Sequence, residues 1–205
     1  MKKTDKPWKF YYWGPLLYHF IVSKEDIKKL RKLIYKKKYY NHNLAGDIKE
    51  QHAIVHGERV EFTQIIQPYL EGFASAYKHF YSFSIDRKLH IELDDLWVNF
   101  MRAGESNPLH VHKNCEWSSV LYLDVPNPLI KEQKAFKGTG VGPGGICFLT
   151  GTEQPNFITF NKYMPQTGEF FIFPKTLYHY VASFKSKCTR ISMAANFSIT
   201  NIKIN

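Results

Sequence analysis

Three histidines have the spacing expected of ligands for one metal ion. His110 and His112 lie one residue apart at a strand-like segment, and His179 follows a later one. Residues i and i+2 of a strand point to the same side, so the first two side chains can converge on one atom. A turn at Pro174 lets the chain fold back toward them. Imidazole suits iron, zinc and copper, so we predict a metal site formed by His110, His112 and His179.

A basic residue lies on the predicted strand that follows the last histidine. Arg190 stands in an otherwise apolar segment, and Ser192 comes two residues later on the same side. We expect an antiparallel hairpin to turn Arg190 toward the metal. Arginine binds carboxylates through two parallel hydrogen bonds, and Tyr122, on an earlier strand, can supply a third contact. Three histidines also suit a hydrolytic zinc enzyme, but the predicted anion site favours an iron site with an anionic cosubstrate.

The predicted secondary structure that must position these residues changes from mainly helical to mainly strand near residue 89. Residues 7–22 predict one or two strands, 24–38 an amphipathic helix capped by Ser23, and a second helix starts or kinks at Pro68. Beyond residue 89 the hydrophobic period shifts toward two, and short strands alternate with Gly/Pro turns, which predicts a sandwich or jelly-roll barrel. The predicted strands are 89–92, 96–103, 109–112, 117–124, 145–150, 157–161, 168–173, 177–183 and 188–199.

The composition indicates a folded chain of 205 residues with 44% hydrophobic and 22% charged residues. Three cysteines without a CxxC pair argue against a disulfide framework and favour a reducing, cytoplasmic setting, and no segment predicts a membrane span. The net charge of +10 suits nucleic acid, acidic proteins or anionic metabolites, although clustered lysines favour solvated helix faces. The glycine-rich segment 137–145 lacks the ending of a phosphate loop and predicts a long hairpin loop.

The segments that carry these residues resemble a known family. Residues 96–112, 117–126 and 168–179, followed by 190–192, look like the Fe(II)/2-oxoglutarate-dependent oxygenases. The similarity covers residues 95–199. The group most like it is the oxygenases common in marine phage and bacterial genomes, and the prolyl hydroxylases are more distantly similar.

The resemblance implies a mainly β fold with flanking helices (α+β), namely a double-stranded β-helix, which is a jelly-roll, cupin-like barrel. We expect a single domain over 1–205, with N-terminal strands and supporting helices in 1–88 and the catalytic core in 89–205. The implied cofactors are Fe(II), 2-oxoglutarate and O2. The implied reaction is hydroxylation of a C–H bond, with a prolyl or other peptidyl substrate as the first hypothesis.

The resemblance also assigns roles to individual residues. His110 would hold the first metal-ligand position and His179 the last. Tyr122, Arg190 and Ser192 would hold the distal carboxylate of 2-oxoglutarate, and Asn99 would face the same cavity.

The chain departs from the family pattern at the middle ligand. The family places a carboxylate where this sequence has His112. Three interpretations follow: His112 is itself a ligand, Glu116 reaches the metal instead, or water fills the position beside His112. We favour the first, because strand geometry aims His112 inward while a predicted loop separates Glu116 from the strand.

Two rival functions remain. A cupin-type three-histidine metalloenzyme would not use 2-oxoglutarate, and a non-enzymatic jelly-roll binding protein would hold no stoichiometric metal. Binding of 2-oxoglutarate distinguishes the first rival, and metal content the second. We expect no membrane partner and a cytoplasmic location, in the host cell if a phage encodes the chain; nucleic acid stays open as a partner.

Overall fold

The computed structural model describes residues 14–34, 39–40, 45–55, 57–81, 87–151 and 159–203. Within these ranges the chain forms, in order, β1 (Tyr18–Ile21), α1 (Lys24–Leu33), β2 (Tyr39–Tyr40), β3 (Gln51–Ala53), α2 (Gly57–Phe80), β4 (Arg87–Arg102), β5 (Asn107–His110), β6 (Trp117–Asp124), α3 (Asn127–Ala135), β7 (Ile146–Leu149), β8 (Phe160–Tyr163), β9 (Glu169–Pro174), β10 (Tyr178–Val181) and β11 (Thr189–Lys203).

The strands form two sheets. The major sheet has seven strands in the order β1-β9-β6-β11-β4-β3-β2, and the minor sheet has four in the order β5-β10-β7-β8. Every pairing is antiparallel. This mainly β architecture with flanking helices confirms the predicted fold class.

The centre of the major sheet is buried on both faces. In β9, Phe171 and Phe173 pack toward the minor sheet, whereas Phe170 and Ile172 pack toward the helices. Neighbouring residues of a strand point to opposite faces, so a strand covered on both sides needs a continuous apolar run. This explains why residues 170–173 show no polar alternation.

Helices α1 and α2 cover the outer face of the major sheet. Ser23 caps α1, because its hydroxyl oxygen accepts a hydrogen bond from the backbone N–H of Asp26 at 3.1 Å, as predicted. Arg31 then fastens the helix to β6 by donating to the Leu123 carbonyl at 2.6 Å and to Asp124 at 2.8 Å. Of the predicted span 24–38, residues 35–38 lie outside the described residues.

Several predicted element boundaries are wrong. Helix α2 begins at Gly57, so Pro68 lies inside the helix and does not start it. The segment 126–128, which the sequence predicts as one of the Gly/Pro turns between strands, is instead the start of α3. Proline fits the first turn of a helix, because no intrahelical partner is needed there for its missing N–H. The segment 137–145 links α3 to β7 and is therefore not a hairpin loop.

The predicted hairpin between the strand of His179 and the strand of Arg190 does not form. β10 belongs to the minor sheet, while β11 lies at the centre of the major sheet between β6 and β4. The chain therefore crosses between sheets after β10. Arg190 and His179 therefore line one cavity from different sheets and are not neighbours on paired strands. No helix among the described residues is long and apolar enough to cross a membrane.

Candidate metal and cosubstrate site

Strand pairing in the minor sheet brings two of the predicted metal ligands together. His179 of β10 is the direct cross-strand partner of His110 of β5, and their ring centroids are 4.1 Å apart. His112 lies beyond the end of β5, which corrects the predicted strand 109–112. Its position is instead fixed by its backbone N–H, which donates to the Lys175 carbonyl at 3.0 Å.

The three histidines converge as the sequence predicts. One ring nitrogen from each of His110, His112 and His179 lies within 4.8 Å of the others. The Nε2 atoms of His112 and His179 are 3.3 Å apart. Metal–nitrogen bonds of about 2.0–2.1 Å place two ligand atoms about 3.0–3.4 Å apart, so this pair already has the separation of two ligands on one ion.

Backbone carbonyls fix which ring nitrogen faces the shared point. Nδ1 of His110 lies 2.8 Å from the Pro108 carbonyl, and Nδ1 of His179 lies 2.9 Å from the Leu177 carbonyl. Because a carbonyl only accepts, Nδ1 carries the proton in both rings. Nε2 therefore keeps a lone pair for a metal, and the carbonyl contact orients the ring as it does in known metal sites.

Burial keeps these imidazoles neutral. It lowers the pKa of His112 to about 4 and that of His179 to about 3, with a further contribution from His110 in each case. The pKa of His110 is also lowered by burial. Phe173 and Phe148 shield His179, with ring centroids 4.7 and 6.1 Å away. The site therefore presents three neutral ligands that need not lose a proton to bind a metal at neutral pH.

Glu116, the alternative ligand, stands apart from this group. Its side chain is exposed, and its carboxylate accepts a hydrogen bond from the backbone N–H of Ile199 at 2.6 Å. Its backbone carbonyl accepts from the N–H of Lys175. These contacts join the loop after β5 to β11 and to the end of β9.

The predicted anion site lies in the major sheet. Arg190 is buried, and its guanidinium donates to the Gly144 carbonyl at 2.7 Å and contacts the Met101 sulfur at 2.9 Å. Its Nε–H has no hydrogen-bond partner among the residues that the structure describes. The Tyr122 ring lies 5.2 Å from the guanidinium carbon, and the buried Tyr122 hydroxyl likewise finds no partner in the described part of the chain. Burial lowers the pKa of Arg190 and raises that of Tyr122 to about 12.

The other predicted anion-site residues form a row across three strands. Ser192 of β11 pairs with Tyr122 of β6 on one side and with Asn99 of β4 on the other. Gln51 of β3 extends the row, because its side-chain N–H donates to the Asn99 side-chain oxygen in a short hydrogen bond. Sequence reasoning missed Gln51, since β3 is only three residues long and shows no strand pattern.

One narrow cavity connects the histidines to this row. Its walls include the three histidines together with Asn99, Tyr122, Arg190 and Ser192. No acidic side chain among the described residues lines it. A wider groove, with a volume of about 720 Å³, shares His110, His112 and Trp97 with the wall of this cavity. The arrangement can hold a cation at the histidines and an anion at Arg190 within one cavity.

The two facing antiparallel sheets have the fold of a double-stranded β-helix. Residues 95–196 match the family model described as "Putative 2OG-Fe(II) oxygenase". A search of curated protein sequences finds no match. The chain belongs to the Fe(II)/2-oxoglutarate-dependent oxygenase family, as the sequence predicts.

Solved structures with the same fold cover most of the chain. The viral collagen prolyl hydroxylase of Paramecium bursaria Chlorella virus-1 is 18% identical, with a TM-score of 0.54, over 90% of this chain and 96% of its own. A Pseudomonas putida prolyl-4-hydroxylase is 12% identical, with a TM-score of 0.56, over 90% and 92%. HygX of Streptomyces hygroscopicus, solved with nickel and 2-oxoglutarate, is 10% identical, with a TM-score of 0.57, over 90% and 83%. At these identities the likeness shows the fold.

Proposed function

We propose that this protein is an Fe(II)- and 2-oxoglutarate-dependent dioxygenase that hydroxylates a C–H bond. The observation that carries the proposal is the state of Arg190: a buried cation with an unpartnered N–H, in a cavity that no acidic side chain of the described residues lines. A buried charge is costly unless it is paired. The cavity therefore suits an anion supplied from solution, and the adjacent histidines select one that can also ligate a metal.

The donor atoms fit this cofactor set. His110, His112 and His179 would hold Fe(II), while Arg190 and the Tyr122 hydroxyl would bind the distal carboxylate of 2-oxoglutarate, assisted by Ser192. Bound Fe(II) and 2-oxoglutarate supply the oxidising power for C–H hydroxylation, with O2 consumed and succinate and carbon dioxide released. The protein's own part is to orient the ligands, to keep the imidazoles neutral and to exclude water with Phe148 and Phe173.

We favour His112 as the ligand that replaces the family's carboxylate. Its Nε2 already lies at ligand separation from that of His179, whereas the Glu116 carboxylate is engaged with Ile199. Three neutral ligands leave the full charge of the ion uncompensated by the protein. Together with the Arg190 guanidinium, this makes the cavity strongly attractive to a dianion such as 2-oxoglutarate.

The wider groove beside the histidines is the proposed site of the primary substrate, and a prolyl or other peptidyl segment is the proposed class. Three side-chain amide oxygens of its wall are buried and accept no hydrogen bond from the described residues, namely those of Gln51, Asn107 and Asn196. Such groups can accept hydrogen bonds from peptide N–H donors. Two structural neighbours are prolyl hydroxylases by name. The cytoplasmic setting stays a prediction from the cysteine content.

Anaerobic absorption spectroscopy tests the cofactor proposal. Protein titrated with Fe(II) and then with 2-oxoglutarate should develop a weak visible charge-transfer band only when both are present. Replacement of Arg190 by Met should weaken 2-oxoglutarate binding about a hundredfold, because a charged bidentate contact is lost, and should leave Fe(II) affinity unchanged. Arg102→Met, which removes an exposed arginine of β4, is the control. An unchanged 2-oxoglutarate affinity in Arg190→Met would refute the anion site.

One observation keeps a second function in view. A three-histidine site without a carboxylate also suits a cupin-type metalloenzyme that does not use 2-oxoglutarate. Iron binding without a charge-transfer band would support that function. Lack of stoichiometric metal after reconstitution would instead indicate a non-enzymatic binding protein.

A further inference from the structure

The turn at Pro143 and Gly144, just before β7, contacts the buried Arg190 side chain. Gly144 has a φ of +64°, and a Cβ there would lie 3.1 Å from a methyl carbon of Leu129. Its backbone N–H donates to the Ser183 carbonyl at 3.3 Å, and its own carbonyl accepts the hydrogen bond from Arg190. The position of this carbonyl therefore helps to determine where the buried guanidinium lies.

A glutamine of α3 holds the neighbouring carbonyl of the same turn. Gln133 is only 5% exposed, and its side-chain N–H donates to the Pro143 carbonyl at 3.1 Å. Gln133 and Arg190 thus bind two consecutive carbonyls from opposite elements, a helix and a strand. Buried polar groups in such a chain depend on one another, because each fixes the geometry of the next.

We propose that Gln133 is a positioning residue for the cosubstrate, and this inference rests on the proposed function. By anchoring Pro143, it fixes the Gly144 carbonyl, which in turn holds one edge of the Arg190 guanidinium. The unpartnered Nε–H then keeps a fixed position beside the Tyr122 ring, where the carboxylate of 2-oxoglutarate would bind. Without Gln133 the turn can shift, and the guanidinium loses its fixed orientation although its charge remains.

The same helix provides a matched control. The neighbouring residue Glu132 also fastens α3 to a turn, since its carboxylate accepts hydrogen bonds from the backbone N–H groups of Lys185 and Ser186. Those contacts do not involve the turn at Pro143 and Gly144. Glu132→Gln therefore weakens the docking of α3 but keeps both the Gln133 donor and the hydrogen bond that Arg190 donates to the Gly144 carbonyl.

The experiment measures 2-oxoglutarate binding to the Fe(II)-loaded protein from the charge-transfer band. Gln133→Met keeps the side-chain length but removes the donor, and it should raise the Kd for 2-oxoglutarate about three- to tenfold with unchanged Fe(II) affinity. Gln133→Asn, which falls short of Pro143, should give the same loss. Glu132→Gln should lower the Tm and leave this Kd unchanged. Equal effects of the Gln133 and Glu132 variants on the Kd, or no effect of either Gln133 variant, would overturn the inference.

A double variant tests the route through Arg190. In an Arg190→Met background residue 190 no longer donates to the Gly144 carbonyl, so adding Gln133→Met should cause no further loss of 2-oxoglutarate affinity. Additive losses would mean that Gln133 acts by another route and would refute the inference. A wild-type protein that binds Fe(II) but gives no band with 2-oxoglutarate would instead refute the proposed function itself.

Discussion

The major and minor sheets contribute to the site in different ways. The minor sheet supplies His110 and His179 from two strands of only four residues each, and β5 is an edge strand. The major sheet supplies Arg190, Tyr122 and Ser192 from its longest ladders. The candidate metal site therefore depends on a small sheet of short strands. The candidate anion site lies on the most extensively paired strands of the molecule.

Because of this difference, metal binding and anion binding should respond differently to the loss of one side chain. In the minor sheet a single pair, His110 opposite His179, brings the proposed ligands together, so each side chain matters individually. In the major sheet the anion-binding groups share a row with Asn99 and Gln51, and one loss can be partly compensated by its neighbours. We therefore expect the loss of any one histidine to abolish tight metal binding. In the major sheet we expect a large effect only from the charged Arg190, and graded effects from the neutral members of the row.

Removal of a proposed metal ligand, either His179 of the minor sheet or His112 just beyond its edge strand, should have the largest effect. His179→Ala and His112→Ala should each lower Fe(II) affinity at least about a hundredfold, because a metal ligand is lost. Competition with a chelator under anaerobic conditions measures this, and His90→Ala, at an exposed position of β4, is the control. A normal affinity in His112→Ala alone would favour water at the third position.

Acid should destabilise the metal-free protein through the same histidines. With folded-state pKa values of about 4 and 3, His112 and His179 stay neutral while the unfolded chain takes up protons below its ordinary pKa near 6.5. Stability is thus fully present above about pH 6.5 and falls as the pH drops toward 4, by up to about 1.4 kcal/mol per pH unit for each histidine. Urea unfolding at pH 7, 6 and 5 measures the slope, and a His112→Gln, His179→Gln double variant should flatten it. An equally steep slope in that variant would assign the acid sensitivity elsewhere.

A major-sheet change should give a graded result. Ser192→Ala should raise the Kd for 2-oxoglutarate about three- to tenfold, because one neutral hydrogen bond is lost while Arg190 and Tyr122 remain. Fe(II) affinity should not change. Ser198→Ala removes another β11 hydroxyl, which donates to Asp94, and should leave both affinities unchanged. A hundredfold loss in Ser192→Ala would contradict the graded behaviour expected of a neutral member of the row.

The smallest effect is expected at Glu116, which connects the two regions. Glu116→Gln should weaken the hydrogen bond that the backbone N–H of Ile199 donates, and Fe(II) affinity should not change. The Tm should fall by about 2–4 °C for each kcal/mol of unfolding free energy that is lost. Thermal unfolding and the chelator competition measure the two quantities. Loss of iron in this variant would make Glu116 the carboxylate ligand.

Local patterns predicted the strands of the core well, since alternation and turn residues act within a few positions. β6 matches its predicted span of 117–124, and β9 differs by one residue at each end. The convergence of the three histidines followed from the same spacing, although His112 proved to lie just past its strand. Here a backbone hydrogen bond to Lys175 replaced the strand geometry on which the prediction relied.

The features that could not be predicted from the sequence are set by contacts between segments that are distant along the chain. The passage of the chain from β10 to β11 looks like a hairpin locally, but β11 finds better partners in β4 and β6 and enters the other sheet. The anchoring of Arg190 through Gly144 and Gln133 has no signal in residue spacing. The role of Pro128 in starting α3 was hidden because a Pro-Asn-Pro segment is equally typical of a turn.

The central ladder also has a consequence for how the protein is made. β4 and β11 pair over fifteen positions, from Arg102 opposite Thr189 to Arg87 opposite Lys203, so partners are separated by 87 to 116 residues of chain. Contacts so far apart in sequence close large loops and slow folding. During synthesis the histidines emerge from the ribosome before Arg190 and before the strand that completes the major sheet. A nascent chain therefore exposes the edges of β4 and β6, and chaperone protection at that stage would favour its correct folding.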